Sequence, residues 1–186
     1  MNDARIIRKF LQPAMGSMIG SIVAIVFCAL FLIVALIVVP VEEYSIKYFF
    51  AFLIIAGLVI KEGKRVIGDI KITKALNAQI EELNKNGYLP IAMEEFKNAD
   101  PLCKGTLRLG DHFVFGKHSG ILLEYKDITR VFQYVHNNKQ RELHVITTTG
   151  ETLILDKLKI RDGNEAQEIM ERMHMINSQI QITFDE

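Results

Sequence analysis

The stretch AMGSMIGSIVAIVFCALFLIVALIVV, residues 14–39, holds no charged residue and no proline. At a rise of ~1.5 Å per residue, a helix of about 26 residues reaches ~39 Å, which exceeds the ~30 Å hydrocarbon core of a bilayer. The apolar region of a secretory signal peptide is only ~7–15 residues long and ends at a cleavage site between small residues, whereas this stretch ends in Val38, Val39 and Pro40. It therefore predicts a transmembrane helix over residues 14–39.

Small residues recur four apart near the start of this helix, at Gly16, Gly20 and Ala24. Such a ridge lets the backbone of another helix approach closely. We predict that these three residues pack against a helix, which is either a second span of the same chain or the same helix of another copy.

A second apolar stretch, residues 44–60, is predicted to return the chain across the membrane. Its charge-free part, YFFAFLIIAGLVI over 48–60, is shorter than the ~17–25 residues that a span needs. The span must therefore include residues 44–47, with the amine of Lys47 reaching the head groups and the neighbouring aromatic side chains in a belt at that surface. The alternative is a re-entrant or interfacial segment.

Charged side chains predict the orientation of the two spans. The basic ones are Arg5, Arg8 and Lys9 before the first span and Lys61, Lys64 and Arg65 after the second, and the acidic ones between the spans are Glu42 and Glu43. Because cytoplasmic flanks carry the excess of lysine and arginine, we expect a two-span protein of the cell membrane with both termini in the cytoplasm.

The leader before the first span, residues 1–13, is basic and amphipathic. Ile6, Ile7, Phe10 and Leu11 recur at helical spacing between its basic residues. This pattern is typical of a short helix lying in the head-group plane. The alternative is a flexible basic leader.

Residues 61–87 are predicted to form a helical stalk that continues from the second span. Its stripe at steps of three and four comprises Val66, Ile70, Thr73, Leu76, Ile80 and Leu83, and Gly87 supplies a helix stop. The stripe is expected either to dock on the soluble domain or to pair with a copy of itself.

Five basic residues of the stalk are predicted to lie at the membrane surface. They are Lys61, Lys64, Arg65, Lys71 and Lys74. A basic residue close to an anionic leaflet contributes ~1 kcal/mol, so these residues would hold the stalk against the membrane. The alternative is that they only enforce topology.

Residues 88–186 are predicted to form one cytosolic domain, since the hydrophobic period changes after Gly87. Alternation and turn signals indicate a short apolar stretch and a polar turn over 88–101, and then six strands of an antiparallel meander. These strands are 104–109, 112–115, 121–125, 130–136, 141–148 and 151–156. A last helix, 164–176, is expected to bury Ala166, Ile169, Met170, Met173 and Ile176.

The stretch TLRLGDHFVFGKHSGILLEYKDITRVFQYV, residues 106–135, contains a Tyr-x-Asp-Ile turn at 125–128. This pattern resembles the bacterial pleckstrin-homology-like domains of small membrane proteins, and the likeness covers residues 104–176. It implies an α+β fold in which a curved antiparallel sheet or partial barrel is capped by a C-terminal helix. Lys104 and Arg108 do not match the phosphoinositide-binding signature of eukaryotic relatives, so the resemblance implies no head-group binding. Most members of this class have no assigned activity.

The sequence contains no recognisable catalytic, metal or cofactor site. Basic and acidic residues balance at 22 each, which gives no net attraction to a nucleic-acid partner. Cys28 and Cys103 cannot build a disulfide framework, as expected on a reducing side. Neither Cys103 nor Ser119 has the neighbours of an activated nucleophile.

The five histidines are scattered along the chain. If residues 137–140 close a hairpin, His136 lies opposite Arg141 and His144 opposite Gln133, on different faces of the sheet. Shared metal binding is therefore not expected.

These observations predict a non-enzymatic interaction or scaffold protein of the bacterial membrane, with no cofactor. Its expected partners are the lipid bilayer and either a second protein or a copy of itself. The alternative is an accessory or regulatory subunit of a membrane transporter or membrane enzyme complex.

Overall fold

The computed structural model describes residues 4–13, 15–38, 46–136, 140–159 and 163–184. Within these ranges the chain has an α+β fold of five α-helices and two four-stranded sheets. The helices are α1 (Ala4–Leu11), α2 (Met15–Val38), α3 (Ile46–Lys85), α4 (Leu89–Asn98) and α5 (Gly163–Ile176). The strands are β1 (Pro101–Leu102), β2 (Leu107–Leu109), β3 (Phe113–Gly116), β4 (Ile121–Glu124), β5 (Ile128–His136), β6 (Gln140–Thr147), β7 (Thr152–Lys159) and β8 (Gln181–Thr183).

The chain divides into two compact units. One unit is Pro13–Ile72, and the other combines Met1–Gln12 with Thr73–Glu186. The leader thus folds with the C-terminal domain, although the apolar stretch separates the two in sequence.

The first unit contains α2 and most of α3. The segment Met18–Ala35 of α2 has a mean hydropathy of 2.9 and is long and apolar enough to cross a membrane. Among the described residues it is the one helix that meets this test. The charge-free part of the predicted second span lies in α3, while the turn at 39–45 lies outside the described residues.

A polar contact joins α2 to α3 inside this unit. The hydroxyl of Ser21, which is 5% exposed, donates a hydrogen bond to Glu62 Oε2 at 2.5 Å. Ile25, Cys28 and Leu32 continue the same half-buried face of α2.

Helix α3 runs over 40 residues without a break, so the predicted helical stalk does continue from the apolar residues 48–60, while their crossing of a membrane stays a prediction. It ends in a Schellman motif, because the N–H of Tyr88 donates to Leu83 O at 2.9 Å and that of Gly87 to Asn84 O at 3.3 Å. Gly87 has φ +75°, a conformation that glycine adopts without a steric cost. The predicted stop at Gly87 is confirmed.

The second unit holds both sheets. The first sheet has the order β1-β2-β3-β4 and is antiparallel, and the second has the order β7-β6-β5-β8. The six predicted strands are confirmed as β2 to β7. However, the chain forms two sheets, divided at the tight turn Tyr125–Asp127, and not the single curved sheet that was expected.

Strand β8 pairs with β5 in parallel, so the prediction of a purely antiparallel sheet was wrong. Parallel neighbours need a crossover connection, and α5 is part of the connection between β7 and β8. The sequence analysis assigned no strand to this short segment.

Two hydrophobic cores lie on opposite faces of the first sheet. The sheet core consists of Cys103, Leu107, Leu109, Val114, Ile121, Tyr125, Ile128, Val131, Leu143, Val145, Leu155, Leu158, Ala166, Ile169, Met170, Met173 and Ile180. The helix core consists of Ile7, Leu11, Leu76, Ile80, Leu83, Ala92, Met93, Phe96, Phe113, Phe115 and Leu122. Strand side chains alternate between faces, so Val114 joins the sheet core while Phe113 and Phe115 join the helix core.

Helix α5 closes the sheet core as predicted. Ala166, Ile169, Met170 and Met173 are at most 2% exposed. Ile176 was expected on the same face, but it is 38% exposed at the end of the helix.

The predicted register of the β5–β6 hairpin was wrong by one residue. His136 faces Gln140, and His144 faces Phe132, because the two strands are connected by residues 137–139 and not by 137–140. Those connecting residues lie outside the part of the chain that the structure describes.

Candidate functional site

The helix core is the place where the segments flanking the apolar stretch meet the folded domain. Ile7 and Leu11 of α1 are fully buried, as is Leu76 of α3, and Ile80 is 2% exposed. They pack in one cluster with α4 and the outer face of the first sheet. The leader is therefore an amphipathic helix, as predicted, but its buried side chains lie against protein and not in the head-group plane.

Of the two expectations for the stalk stripe, docking on the domain is confirmed. Leu76, Ile80 and Leu83 belong to the helix core. Ile70, in contrast, is 52% exposed and lies off this face.

Helix α4 is the element that the sequence analysis missed. Residues 88–101 were interpreted as an apolar stretch and a turn, yet Leu89–Asn98 is helical, with a proline in its first turn, where proline is tolerated. Ala92, Met93 and Phe96 give this helix a buried face.

Aromatic rings and a guanidinium join α1 and α4 to the sheet. The ring centroid of Phe96 lies 5.0 Å from that of Phe10 and 5.2 Å from that of Phe115. The guanidinium of Arg108, on β2, lies 4.9 Å from the Phe96 centroid and 5.8 Å from the Phe10 centroid. Cation–π contacts of this kind stabilise a partly buried arginine.

The same guanidinium caps the C-terminal end of α4. Arg108 Nη1 donates to Phe96 O at 3.2 Å and to Ala99 O at 2.6 Å. A cation is favourable there, because the last carbonyls of a helix carry the negative end of its dipole. Arg108 thus links α1, α4 and the first sheet.

Glu95 anchors α4 to the turn between β2 and β3. Its Oε2 accepts hydrogen bonds from the backbone N–H groups of His112 at 2.9 Å and Phe113 at 3.1 Å, and its Oε1 lies 2.5 Å from His112 Nδ1. This hydrogen bond raises the pKa of His112 above 6.5. A Cβ at position 110 would collide with the Glu95 carboxylate, so a larger residue there would displace this side chain from its hydrogen bonds.

The predicted membrane-surface residues all project from α3. Lys61, Lys64, Arg65, Lys71 and Lys74 are exposed. Arg65 Nη1 lies 3.9 Å from Glu62 Oε2. Exposure leaves these side chains free to meet a membrane surface, and their contact with lipid stays a prediction.

The predicted helix-packing residues lie on α2. Gly20 and Ala24 are exposed, and a Cβ added to Gly20 would meet no atom within 4 Å among the described residues. The surroundings of Gly16 lie outside the description. The half-buried face of α2 runs instead through Ser21, so packing of the ridge against another helix stays a prediction.

A buried carboxylate organises a polar cluster in the domain. Asp156 is fully buried. Its Oδ2 accepts from Thr106 Oγ1 at 2.5 Å, and its Oδ1 accepts from the Lys157 N–H at 2.6 Å and lies 3.0 Å from His118 Nε2. These bonds tie β7 to the turns on either side of β2 and β3.

Cys103 completes this cluster but is not an activated nucleophile. Burial and then the neighbouring carboxylates of Asp156 and Glu165 raise the pKa of its thiol, which keeps the thiol protonated. Cys103 and Lys104 have φ of +50° and +59°, a strained conformation for residues other than glycine. The Cys103 N–H donates to Glu165 Oε1 of α5 at 2.9 Å, and this hydrogen bond stabilises the strained backbone conformation.

Four of the five histidines contact separate partners among the described residues. The prediction that positions 136 and 144 lie on different faces of the sheet was wrong, because His144 is opposite Phe132 and positions 132 and 136 of β5 share a face. His112 contacts Glu95, His118 contacts Asp156, His144 contacts Glu142, and His174 Nδ1 lies 2.8 Å from Ile180 O. No three histidine, cysteine or carboxylate side chains among the described residues are placed to hold a metal ion.

A signal for the helix core was present in the sequence. Phe113-Val114-Phe115 and Ile121-Leu122-Leu123 are apolar at consecutive positions, and continuous apolar runs are typical of strands buried on both faces. The sequence analysis did not use this signal, and so left the helix core out.

No protein family, curated protein or solved structure matches this chain. The resemblance to pleckstrin-homology-like domains therefore rests on the strand pattern and stays a prediction.

Proposed function

We propose that this protein is a non-enzymatic interaction or scaffold protein of a bacterial cell membrane. It crosses the membrane twice, through α2 and the first part of α3, and holds a pleckstrin-homology-like domain at the cytoplasmic face. The observation that carries this proposal is the helix core, in which α1 and the end of α3 fold together with the domain.

The helix core supports two crossings by a parity argument. Ile7 precedes the apolar stretch and Leu76 follows it, yet both are buried in one cluster. Segments that share a core lie on the same side of a membrane, so the chain between them crosses an even number of times. Helix α2 supplies one crossing, and the apolar residues 48–60 are the available return.

The contact between α2 and α3 supports spans of matched length. From Ser21 to the end of α2 the chain has about 18 residues, and from the start of α3 to Glu62 about 17, which correspond to ~27 Å and ~25 Å. Both lengths are close to the ~30 Å hydrocarbon core. The Ser21–Glu62 hydrogen bond then lies at the cytoplasmic end of both spans.

The helix core also favours an anchor over a cleaved signal peptide. Cleavage would remove α1, and with it the fully buried side chains of Ile7 and Leu11. The domain would then expose the surface that these side chains cover.

Basic flanks support the cytoplasmic orientation, and they also support a role at the lipid surface. The five exposed basic residues of the stalk face an anionic leaflet in this arrangement, and only those within a Debye length of ~8 Å interact strongly at physiological salt. In nanodiscs, the distance from a spin label on Glu151→Cys to the bilayer should grow when anionic lipid is omitted. If this distance changes neither with the content of anionic lipid nor with the salt concentration, the basic residues serve only to set the topology.

The accessory-subunit alternative is favoured by one observation. Gly20 and Ala24 leave an exposed ridge of small residues on α2, where a helix of another membrane protein could approach closely. In that case the spans, and not the domain, are the binding element.

Site-specific photo-crosslinking in cells separates the two functions. A photo-reactive residue is placed in the full chain at exposed domain positions, Tyr134 or Phe184, or at exposed positions of α2, Val23 or Phe27. A discrete protein adduct from the domain positions supports the scaffold, and an adduct from α2 alone supports the accessory subunit. If none of the four positions gives a protein adduct, both functions are contradicted.

A further inference from the structure

An exposed apolar stripe on α3 continues past the end of the proposed second span. Ile60, Ile67 and Ile70 are 59%, 56% and 52% exposed, and steps of seven and three residues place them on one face of a helix. Ile60 belongs to the proposed span, whereas Ile67 and Ile70 follow Glu62 at its cytoplasmic end. All of these residues lie in the compact unit Pro13–Ile72. Two large apolar side chains therefore extend the exposed side of the span beyond its end.

Lysine side chains lie between these isoleucines. Lys64 and Lys71 are exposed, and each follows an isoleucine of the stripe by four residues, which places it on the same face. A lysine can lay its methylene stem along apolar surface while its amine reaches a phosphate. This face of α3 thus combines apolar side chains with basic groups, a combination typical of helices that lie at the surface of a bilayer.

The other side of α3 differs at the same level of the chain. Glu62 accepts a hydrogen bond from Ser21 of α2 and lies 3.9 Å from Arg65 Nη1. Val66 and Asp69 are half-buried. Protein contacts therefore occupy this side directly after the proposed span, and apolar surface remains exposed only on the face of the isoleucines.

A tilt of α3 brings the face of the isoleucines to the membrane. Ile70 lies eight residues after Glu62, which is ~12 Å along the axis of a helix that is ~10–12 Å across. The head-group layer of one leaflet is ~5–7 Å thick, and membrane helices are tilted by ~0–40°. A tilt in the upper part of this range, toward the isoleucines, lowers Ile67 and Ile70 into the head-group layer and moves the Arg65 side chain away from it.

A second copy of the chain fits this face less well than lipid does. In a parallel pair of stalks, Lys64 and Lys71 would meet the same lysines of the other copy, and like charges at neighbouring positions are destabilising. Phosphates of the head groups complement both lysines. The charge of the face therefore favours phospholipid as its occupant.

We propose that α3 leaves the membrane at a tilt, with Ile67 and Ile70 inserted among phospholipid head groups and Lys64 and Lys71 bound to their phosphates. This inference rests on the second crossing proposed above and adds to it which side of the stalk meets lipid. It also makes the contact partly apolar. Lys61 and Arg65, which lie on other sides of α3, take no part in it.

The test measures how strongly spin labels on lipid head groups quench a fluorescent label, in nanodiscs that hold one full chain and anionic lipid. In a chain with Cys28→Ala and Cys103→Ala, the label is attached to Ile67→Cys or Ile70→Cys. The matched controls are Arg65→Cys and Gly68→Cys, each two residues nearer to the span but ~200° around the helix. A Cβ at Gly68 would meet no atom within 4 Å among the described residues.

Quenching should be stronger at Ile67→Cys than at Arg65→Cys, and stronger at Ile70→Cys than at Gly68→Cys. In a helix that follows the membrane normal both orders are reversed, because the position nearer to the span then lies nearer to the lipid. An unchanged thermal transition in each labelled variant shows that the fold is retained.

A label inside the proposed span separates failure of this inference from failure of the second crossing. Leu53 is 53% exposed, and a label on Leu53→Cys should be quenched by spin labels on the acyl chains. If it is not quenched, the second crossing fails and this inference falls with it. If it is quenched but either control position is quenched as strongly as its matched isoleucine position, only the inference is overturned. Disulfide-linked dimers of Ile67→Cys in proteoliposomes, without quenching by head-group labels, would assign the face to a second copy and would also overturn it.

Discussion

The two cores of this protein differ in the length of sequence that contributes residues to them. The sheet core uses residues from Cys103 to Ile180, all within the domain itself. The helix core reaches from Ile7 to Leu122 and spans the apolar stretch. One core therefore makes the domain, and the other fastens it to the segments on both sides of the proposed spans.

This comparison predicts a different outcome for damage to each core. The largest effect is expected for Ile169→Asp in the sheet core, because Ile169 is 2% exposed and an unpaired buried carboxylate costs several kcal/mol against a total stability of ~5–15 kcal/mol. Circular dichroism and proteolysis should show loss of both sheets. Glu168→Asp, at the exposed neighbouring position, should keep the fold, and a stable Ile169→Asp variant would show that this face of α5 is not buried.

Damage to the helix core should release α1 while the sheets persist. Ile7→Ala removes a fully buried side chain and should cost about 2–5 kcal/mol of the docking of α1. Hydrogen exchange should then speed up in α1 and at the end of α3, with β5 to β7 still protected. Ile6→Ala, at a position that is 46% exposed, is the control, and equal exchange in the two variants would contradict the role of α1.

A smaller effect is expected where the guanidinium joins the elements of the helix core. Arg108→Lys keeps the charge but loses the planar group that stacks on Phe96 and donates to two carbonyls, so it should cost about 1–3 kcal/mol. Thermal unfolding in detergent measures this loss. The control is Arg65→Lys, because the Arg65 side chain is 55% exposed, and it should leave the unfolding temperature unchanged. An unchanged unfolding temperature in Arg108→Lys would show that the stacking on Phe96 does not stabilise the domain.

The smallest effect concerns pH at the edge of the helix core. The hydrogen bond that His112 donates to Glu95 raises the pKa of His112, so the stability that the charged imidazolium adds is present at pH 6.5 and is lost as the pH rises through the raised value. An NMR titration of His112 should have its midpoint above 6.5, and Glu95→Gln should return it to about 6.5. A midpoint that Glu95→Gln leaves unchanged would assign the shift to other groups.

The sequence predicted the sheet core well because its signals are local. The alternation of Leu107 and Leu109 in β2, the turn signals between the strands, and the three- and four-residue steps from Ala166 to Met173 are set within short stretches of sequence. The helix core depends on pairings between distant segments, which periodicity does not specify. The apolar side of α1 is equally suited to a bilayer and to Phe96, so its partner could not be decided from its own residues.

The candidate site was harder to predict than the fold. The buried carboxylate of Asp156 gathers Thr106 and His118 from two different turns. Only the register and the turn geometry bring them together. The hairpin register itself was missed by one residue, since the sequence 137–140 gives no sharp signal for its length.

Cysteine accessibility decides whether the chain crosses a membrane between α1 and the domain, as proposed, and whether these two parts lie on the same side of it. In a full chain with Cys28→Ala and Cys103→Ala, single cysteines at Ile6, Glu43 and Glu151 are labelled with a membrane-impermeant maleimide. We expect Ile6→Cys and Glu151→Cys to react only after permeabilisation and Glu43→Cys to react in intact cells. Labelling of Ile6→Cys and Glu151→Cys from opposite sides would contradict the shared core, and labelling of all three from one side would contradict the two spans.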